Sequence, residues 1–259
     1  MRKRRKWLIV VPGVLAVLAA AFLIYTSRYY HADDTARAAL ISDDAVTVIR
    51  TDYGWLFDGP SEETALVFYP GAKVEAEAYA PMLHLLAEKG MDVCLVEMPF
   101  RLALFGMNSA WDVIQKHSYS RWFTGGHSLG GAMAANYAAS HGARVSGVIL
   151  FAAYPTKQLD DMLTEISIYG TEDGILNLGK MVSRRNYAPK AFYECMIEGG
   201  NHAQFGNYGE QRRDGKALIS AEEQQAQAVE FIIQHIQAEP APEIAGDTLI
   251  PENEIPDED

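Results

Sequence analysis

The chain has 259 residues, 49% of them hydrophobic, and a formal net charge of −12; that length suffices for one good-sized domain with an ample core. The charge is uneven: residues 1–6 carry +5, residues 239–259 carry −8 without a basic residue, and the stretch between carries −9. An acidic body repels phosphate backbones, which excludes nucleic acid as an expected partner.

Trp7 to Tyr25 is an uncharged apolar run that, as a helix, covers about 28 Å and is expected to span a bilayer. Five basic residues precede it and Asp33 and Asp34 follow, which predicts residues 1–6 as a cytoplasmic tail and the body as extracytoplasmic at the cell membrane. A cleaved signal peptide is the competing reading, because Ala19-Ala20-Ala21 offers small residues at A-x-A spacing. An uncleaved anchor is preferred because the apolar run continues through Phe22, Leu23, Ile24 and Tyr25. Residues 26–44 then read as a polar stalk.

The body is expected over 45–238. Val46 to Arg50 alternates, Trp55 to Phe57 ends at Asp58-Gly59-Pro60, and together they suggest an opening hairpin. Ala65 to Tyr69 is a continuous apolar run, the mark of a strand buried on both faces. A helix with Tyr79, Met82, Leu83 and Leu86 follows, then a strand at Val93–Val96 and a short helix marked by Trp111, Val113 and Ile114. Later strands are expected at Val145–Ala152, Ile166–Tyr169 and Ala191–Ile197, with a helix within 175–186. Repeated β-then-α units predict a mostly parallel sheet covered on both faces. Ser220 and Glu223 read as a capping box for a last helix whose Val229, Ile232, Ile233 and Ile236 form an apolar stripe. Residues 239–259, rich in Pro and acid, have little to bury and read as a disordered tail. Cys94 and Cys195 lie in apolar runs with no CxxC or Cys/His spacing, so no metal site is expected, and in the expected sheet their two strands lie too far apart for a disulfide. No motif implies a cofactor.

The chemistry concentrates at Phe123-Thr124-Gly125-Gly126-His127-Ser128-Leu129-Gly130-Gly131, a strand running through a glycine-pinched turn into a helix of small residues. A serine at the tip of a Gly-x-Ser-x-Gly turn is pushed into the open as a nucleophile candidate. Serine is a weak nucleophile by itself, so it needs a histidine to take its proton and a carboxylate to hold that histidine. Downstream stand Asp173, in Thr171-Glu172-Asp173-Gly174, and His202, in Glu198-Gly199-Gly200-Asn201-His202. Glu172 is the alternative acid. His127 leaves the turn in another direction and is expected to pack or hydrogen-bond locally. His31, His84, His117, His141 and His235 read as solvated or core histidines.

On these motifs, over about residues 64 to 236, the chain resembles the α/β-hydrolases, most closely the compact bacterial subfamily known as alpha/beta hydrolase fold five. The resemblance implies an eight-stranded α/β-hydrolase sheet, with Ser128 after the fifth strand, Asp173 after the seventh and His202 after the eighth. It also implies an oxyanion hole from the Leu129 amide and one from the loop after the third strand. That loop reads Pro70-Gly71-Ala72-Lys73 here rather than His-Gly-x, so the second donor is Ala72, with Lys73 in reserve. Only Tyr154 to Glu165 separate the sixth and seventh strands, leaving no room there for a large lid. Met98 to Gly106, with apolar residues that could hold an acyl group, reads as a pocket wall or as core. The expected function is hydrolysis of a carboxylic ester or related small acyl compound through an acyl-enzyme. An acyltransferase with the same triad, and a non-catalytic surface protein on this fold, are the alternatives. Oligomeric state is not legible.

Overall fold

The computed structural model describes residues 2–60 and 63–237. Its eight strands form one sheet: β1 (Thr47–Arg50), β2 (Gly54–Asp58), β3 (Thr64–Tyr69), β4 (Asp92–Val96), β5 (Arg121–His127), β6 (Gly147–Phe151), β7 (Thr164–Gly170) and β8 (Ala191–Ile197). The spatial order is β1-β2-β4-β3-β5-β6-β7-β8. β1, β2 and β4 pair antiparallel, and every pairing from β4 across to β8 is parallel. The mostly parallel eight-stranded sheet expected from the sequence is therefore present.

The uninterrupted apolar run of β3 is explained by two buried faces. Leu66 and Phe68 join Val93, Leu95, Phe123 and Ile149 in one layer, while Ala65, Val67 and Tyr69 join Cys94, Val96, Trp122 and Val148 in the other. Each such side chain fully removed from water stabilises the fold by about 1.5–3 kcal/mol. The first layer is covered by α3 (Ala80–Glu88) and α7 (Ala221–Gln237), the second by α5 (Leu129–Ser140). α5 sits so close to β3 that a Cβ on Gly130 would lie 2.1 Å from the Tyr69 carbonyl oxygen, which is why that residue has no side chain. α7 starts where the Ser220 hydroxyl accepts the Glu223 amide (3.1 Å), and it buries Val229, Ile232 and Ile236, with Ile233 partly covered. β8 lies at the sheet edge, so Cys195 is only half-buried; Cys94 is buried on β4, and both are free thiols.

The N-terminal segment departs from expectation. Among the described residues no helix is long and apolar enough to cross a membrane, which overturns the transmembrane helix read over Trp7–Tyr25. α1 (Arg2–Ser27) contains Pro12, whose ring removes a helix hydrogen bond, and its last turns are spent on packing. Phe22 meets Phe100 and Phe105 at ring-centroid distances of 5.2 and 5.8 Å, Thr26 is buried, and the Lys73 ammonium lies 4.1 Å from the Tyr25 ring centroid. Residues 28–44 do not stand off as a stalk. Tyr30 bridges to Val74, Asp33 caps α2 (Asp34–Ala38) by accepting the Ala36 amide at 2.8 Å, and Ala32 and Ala36 enter the core. The acidic tail at 239–259 lies outside the described residues.

One buried acid predicts how stability varies with pH. Glu165 on β7 is 2% exposed, and its Oε2 has no partner among the described residues. Burial first, and the nearby Glu194 second, push its carboxyl from 4.5 up to about 8. The folded state thus holds this proton more tightly than the unfolded state. The resulting stability is full below the unfolded value and is lost as pH rises through about 8. Glu165→Gln should raise the thermal midpoint at about pH 9 and barely move it at about pH 4.5; calorimetry at both pH values checks this, and equal shifts would contradict it.

Candidate active site

The loops that matter all leave the carboxyl ends of the parallel strands. β5 ends at His127 and α5 starts at Leu129, so the whole reversal falls on Ser128, whose φ of 54° and ψ of −121° are left-handed for a non-glycine residue. Such backbone costs of order 1–3 kcal/mol and persists only where its surroundings enforce it. Here the Ser128 amide donates to the Phe151 carbonyl (2.9 Å) and its carbonyl accepts the Ala132 amide (3.1 Å). Ser128 itself stays partly exposed.

The turn after β7 holds Asp173. Its Oδ1 accepts the Ile175 and Leu176 amides at 2.8 and 2.7 Å, which folds the loop back on itself and leaves Oδ2 for a partner. That partner is His202, whose Nδ1 lies 2.9 Å from Oδ2, with the two side chains 1% and 0% exposed for His202 and Asp173. Glu172 is engaged elsewhere, accepting the Thr171 hydroxyl at 3.2 Å. An Nδ1–H directed at a carboxylate leaves Nε2 as the free acceptor face of the ring. Nε2 is buried and unpartnered among the described residues, so no hydrogen bond joins it to the Ser128 hydroxyl in this conformation. Bonds of this kind are commonly long before substrate arrives and tighten with it.

The preceding residue is clamped from α7: the Gln224 amide accepts the Asn201 N–H (2.9 Å) and donates to the Asn201 carbonyl (2.8 Å). Gln224 is fully buried. In the sequence it is one polar residue among many at the start of α7, and nothing there signals its role.

His127 lies beside this pair, its ring centroid 4.4 Å from that of His202. Burial, and then the neighbouring His202, hold its pKa well below 6.5, against a weaker opposing pull from the His202 backbone. Its Nδ1 is 2.8 Å from the hydroxyl of Tyr79, which also accepts the Gly71 amide at 3.0 Å. His127 thus packs and bonds locally, as expected. Tyr79 has a role that its helical apolar spacing does not reveal: it fastens the start of the 70–74 loop to the end of β5, directly before Ser128.

Within that loop the Lys73 amide donates to the Arg101 carbonyl (2.8 Å), and the Lys73 carbonyl accepts the Tyr30 amide (2.8 Å). Lys73 therefore has no amide to offer an incoming anion. The Ala72 and Leu129 amides have no partner among the described residues. Leu129 opens α5, where the first N–H groups of a helix are left free and favour negative charge.

Met98 to Gly106 forms two short helical turns, and the second packs against α5. Ala103 is buried, but Phe100, Leu104 and Phe105 are each about half exposed. The segment after α1 crosses this rim. Arg101 stacks 3.4 Å over the Tyr29 ring, Glu75 donates its amide to the Tyr30 carbonyl, and Asp33 donates its amide to the Asn207 carbonyl. A cavity of about 580 Å³ lies behind the His202 loop, bordered by Asp33, Gln204 and Asn207, and one of about 260 Å³ lies beside Pro70 and Arg101; neither is lined by Ser128 or His202. Among the described residues no group of three or more His, Cys, Asp or Glu side chains could hold a metal ion.

Residues 65–226 match the family model described as the alpha/beta hydrolase family. No curated protein matches the chain. Among solved structures it is similar to TT1662 from Thermus thermophilus, with 15% identity and a TM-score of 0.54 over 75% of this chain and 99% of that one. A predicted CIB-like hydrolase from Thermoplasma acidophilum aligns at 14% identity and TM-score 0.53, covering 73% of this chain and 99% of that one. Est1E from Butyrivibrio proteoclasticus aligns at 13% and 0.53, covering 75% and 100%. At these identities the likeness speaks for the fold.

Removing the Tyr79 hydroxyl should strand the Gly71 N–H and His127 Nδ1 without partners. Tyr79→Phe is expected to destabilise the fold by about 1–3 kcal/mol, read as a lower urea midpoint; an unchanged midpoint would contradict the assigned bonds.

Proposed function

The chain belongs to the alpha/beta hydrolase family, and from that premise we propose that it is a serine hydrolase cleaving a carboxylic ester or related acyl compound. Ser128 is the nucleophile, His202 the general base and Asp173 its orienter. The observation that carries this reading is the buried 2.9 Å contact between Asp173 and His202 Nδ1, at the same sheet edge as the left-handed turn of Ser128.

The steps follow from those positions. The Ser128 hydroxyl attacks the substrate carbonyl carbon while its proton passes to His202 Nε2, and Asp173 stabilises the imidazolium that forms. Charge collects on the former carbonyl oxygen, where the unengaged Leu129 and Ala72 amides are the donors. His202 then returns the proton to the departing alcohol, leaving the acyl group on Ser128. Water attacks that ester by the same route in reverse, releasing acid and restoring the serine. The half-exposed Leu104 and Phe105, on the turn that packs against α5, supply an apolar bank for the acyl part.

The test is turnover of short-chain esters by the full chain, with product analysis. Ser128→Ala and His202→Ala should each lower kcat by about 10³–10⁶, and Asp173→Asn by about 10⁴, with free acid as product. Wild-type activity that survives Ser128→Ala would sink the assignment. Acyl transfer to an added alcohol or amine, without hydrolysis in its absence, would replace hydrolysis with transfer.

A further inference from the structure

His202 and Asp173 sit on two different loops, and a second carboxylate, that of Asp214, spans both. Asp214 Oδ1 accepts the Gly174 amide at 3.0 Å, directly after Asp173, as well as the His202 amide at 3.3 Å. Its Oδ2 accepts the Ala203 amide at 2.8 Å, and Oδ1 also accepts the following Gly215 amide at 2.8 Å. The turn carrying it is pressed onto the acid loop: a Cβ on Gly215 would lie 1.9 Å from the Glu172 carbonyl oxygen. Asn201 closes the arrangement, donating from Nδ2 to the Gly215 carbonyl at 2.8 Å and accepting the Gln204 amide at 3.0 Å. Hydrogen bonds to an ionised acceptor are about twice as strong as neutral ones, so one side chain holds the backbone on both sides of the Asp173–His202 contact.

We propose that Asp214 is a positioning residue that fixes the acid loop and the histidine loop to each other and so sets the Asp173–His202 geometry. The proposal rests on the reading of Asp173 and His202 as partners in hydrolysis. Asp214 does not reach the reacting atoms; it acts through the amides flanking Asp173 and His202. Arrangements of this kind must be held to about 0.5 Å to stay productive, and a misplacement of about 1 Å can cost 10²-fold in rate.

Two variants of the full chain test it. Asp214→Ala removes every acceptor, whereas Asp214→Asn keeps one oxygen for the Gly174 and His202 amides and loses the bond to Ala203. Ester turnover should rank wild type above Asn above Ala, with kcat for Ala down by about 10²-fold and KM within about twofold. The downfield proton resonance of His202 Nδ1–H, identified by its loss in His202→Ala, should broaden or shift in Ala and do so to a lesser degree in Asn. A general loss of stability would lower the active fraction without moving that resonance or the pH profile of kcat. Wild-type kcat and an unmoved resonance in Asp214→Ala overturn the proposal. If Ala does not fold, wild-type kcat in Asn overturns it alone. A wild type whose activity is indifferent to His202→Ala fails the hydrolase reading itself, and this proposal with it.

Discussion

A carboxylate and an imidazole sealed away from water are the constraint around which the rest of the molecule is arranged. Taking either out of solvent alone is costly, and a buried charge is tolerated only where other groups satisfy it. Asp173 meets that condition with two backbone amides on one oxygen and His202 on the other. The turn after β7 folds as it does in order to supply those amides. The ring of His202 is consequently fixed at one nitrogen and unpartnered at the other, which is the asymmetry a proton acceptor needs.

The sheet provides the platform, and side chains and backbone tie the loops above it to the sheet and to one another. Tyr79 reaches from the base of α3 to Gly71 and His127, Gln224 reaches from α7 to Asn201, and the segment around Tyr30 and Asp33 links the 70–74 loop with Asn207. Left-handed backbone at Ser128, Phe100, Arg101 and Lys73 clusters along the same rim. Strain concentrated at one edge while the strands below remain regular is what a rigid scaffold with a specialised surface looks like.

Much of this was legible in the residues. The double-sided burial of β3 follows from an unbroken apolar run, and the reversal at Ser128 from a glycine pair around it. Asp173 and His202 stood out because each occupies a glycine-flanked turn just beyond a predicted strand. What stayed hidden was long-range: Tyr79, Gln224 and Asp214 act on backbone groups 8, 23 and 40 residues away, and no local pattern encodes such partners. The N-terminal reading failed for a related reason. Hydropathy ranks Phe22 and Tyr25 as lipid-facing, but Phe22 packs against Phe100 and Phe105 and Tyr25 against Lys73, contacts that a window of composition cannot anticipate.

The central claim is that Ser128 is an activated hydroxyl and His202 the group that activates it. Mass spectrometry of the folded chain after exposure to a fluorophosphonate, with the adduct mapped to a peptide, tests it most directly. One adduct is expected, on Ser128, and its formation should slow sharply in His202→Ala while the fold is retained. A folded protein that takes up no label, or takes it on another serine, would contradict it.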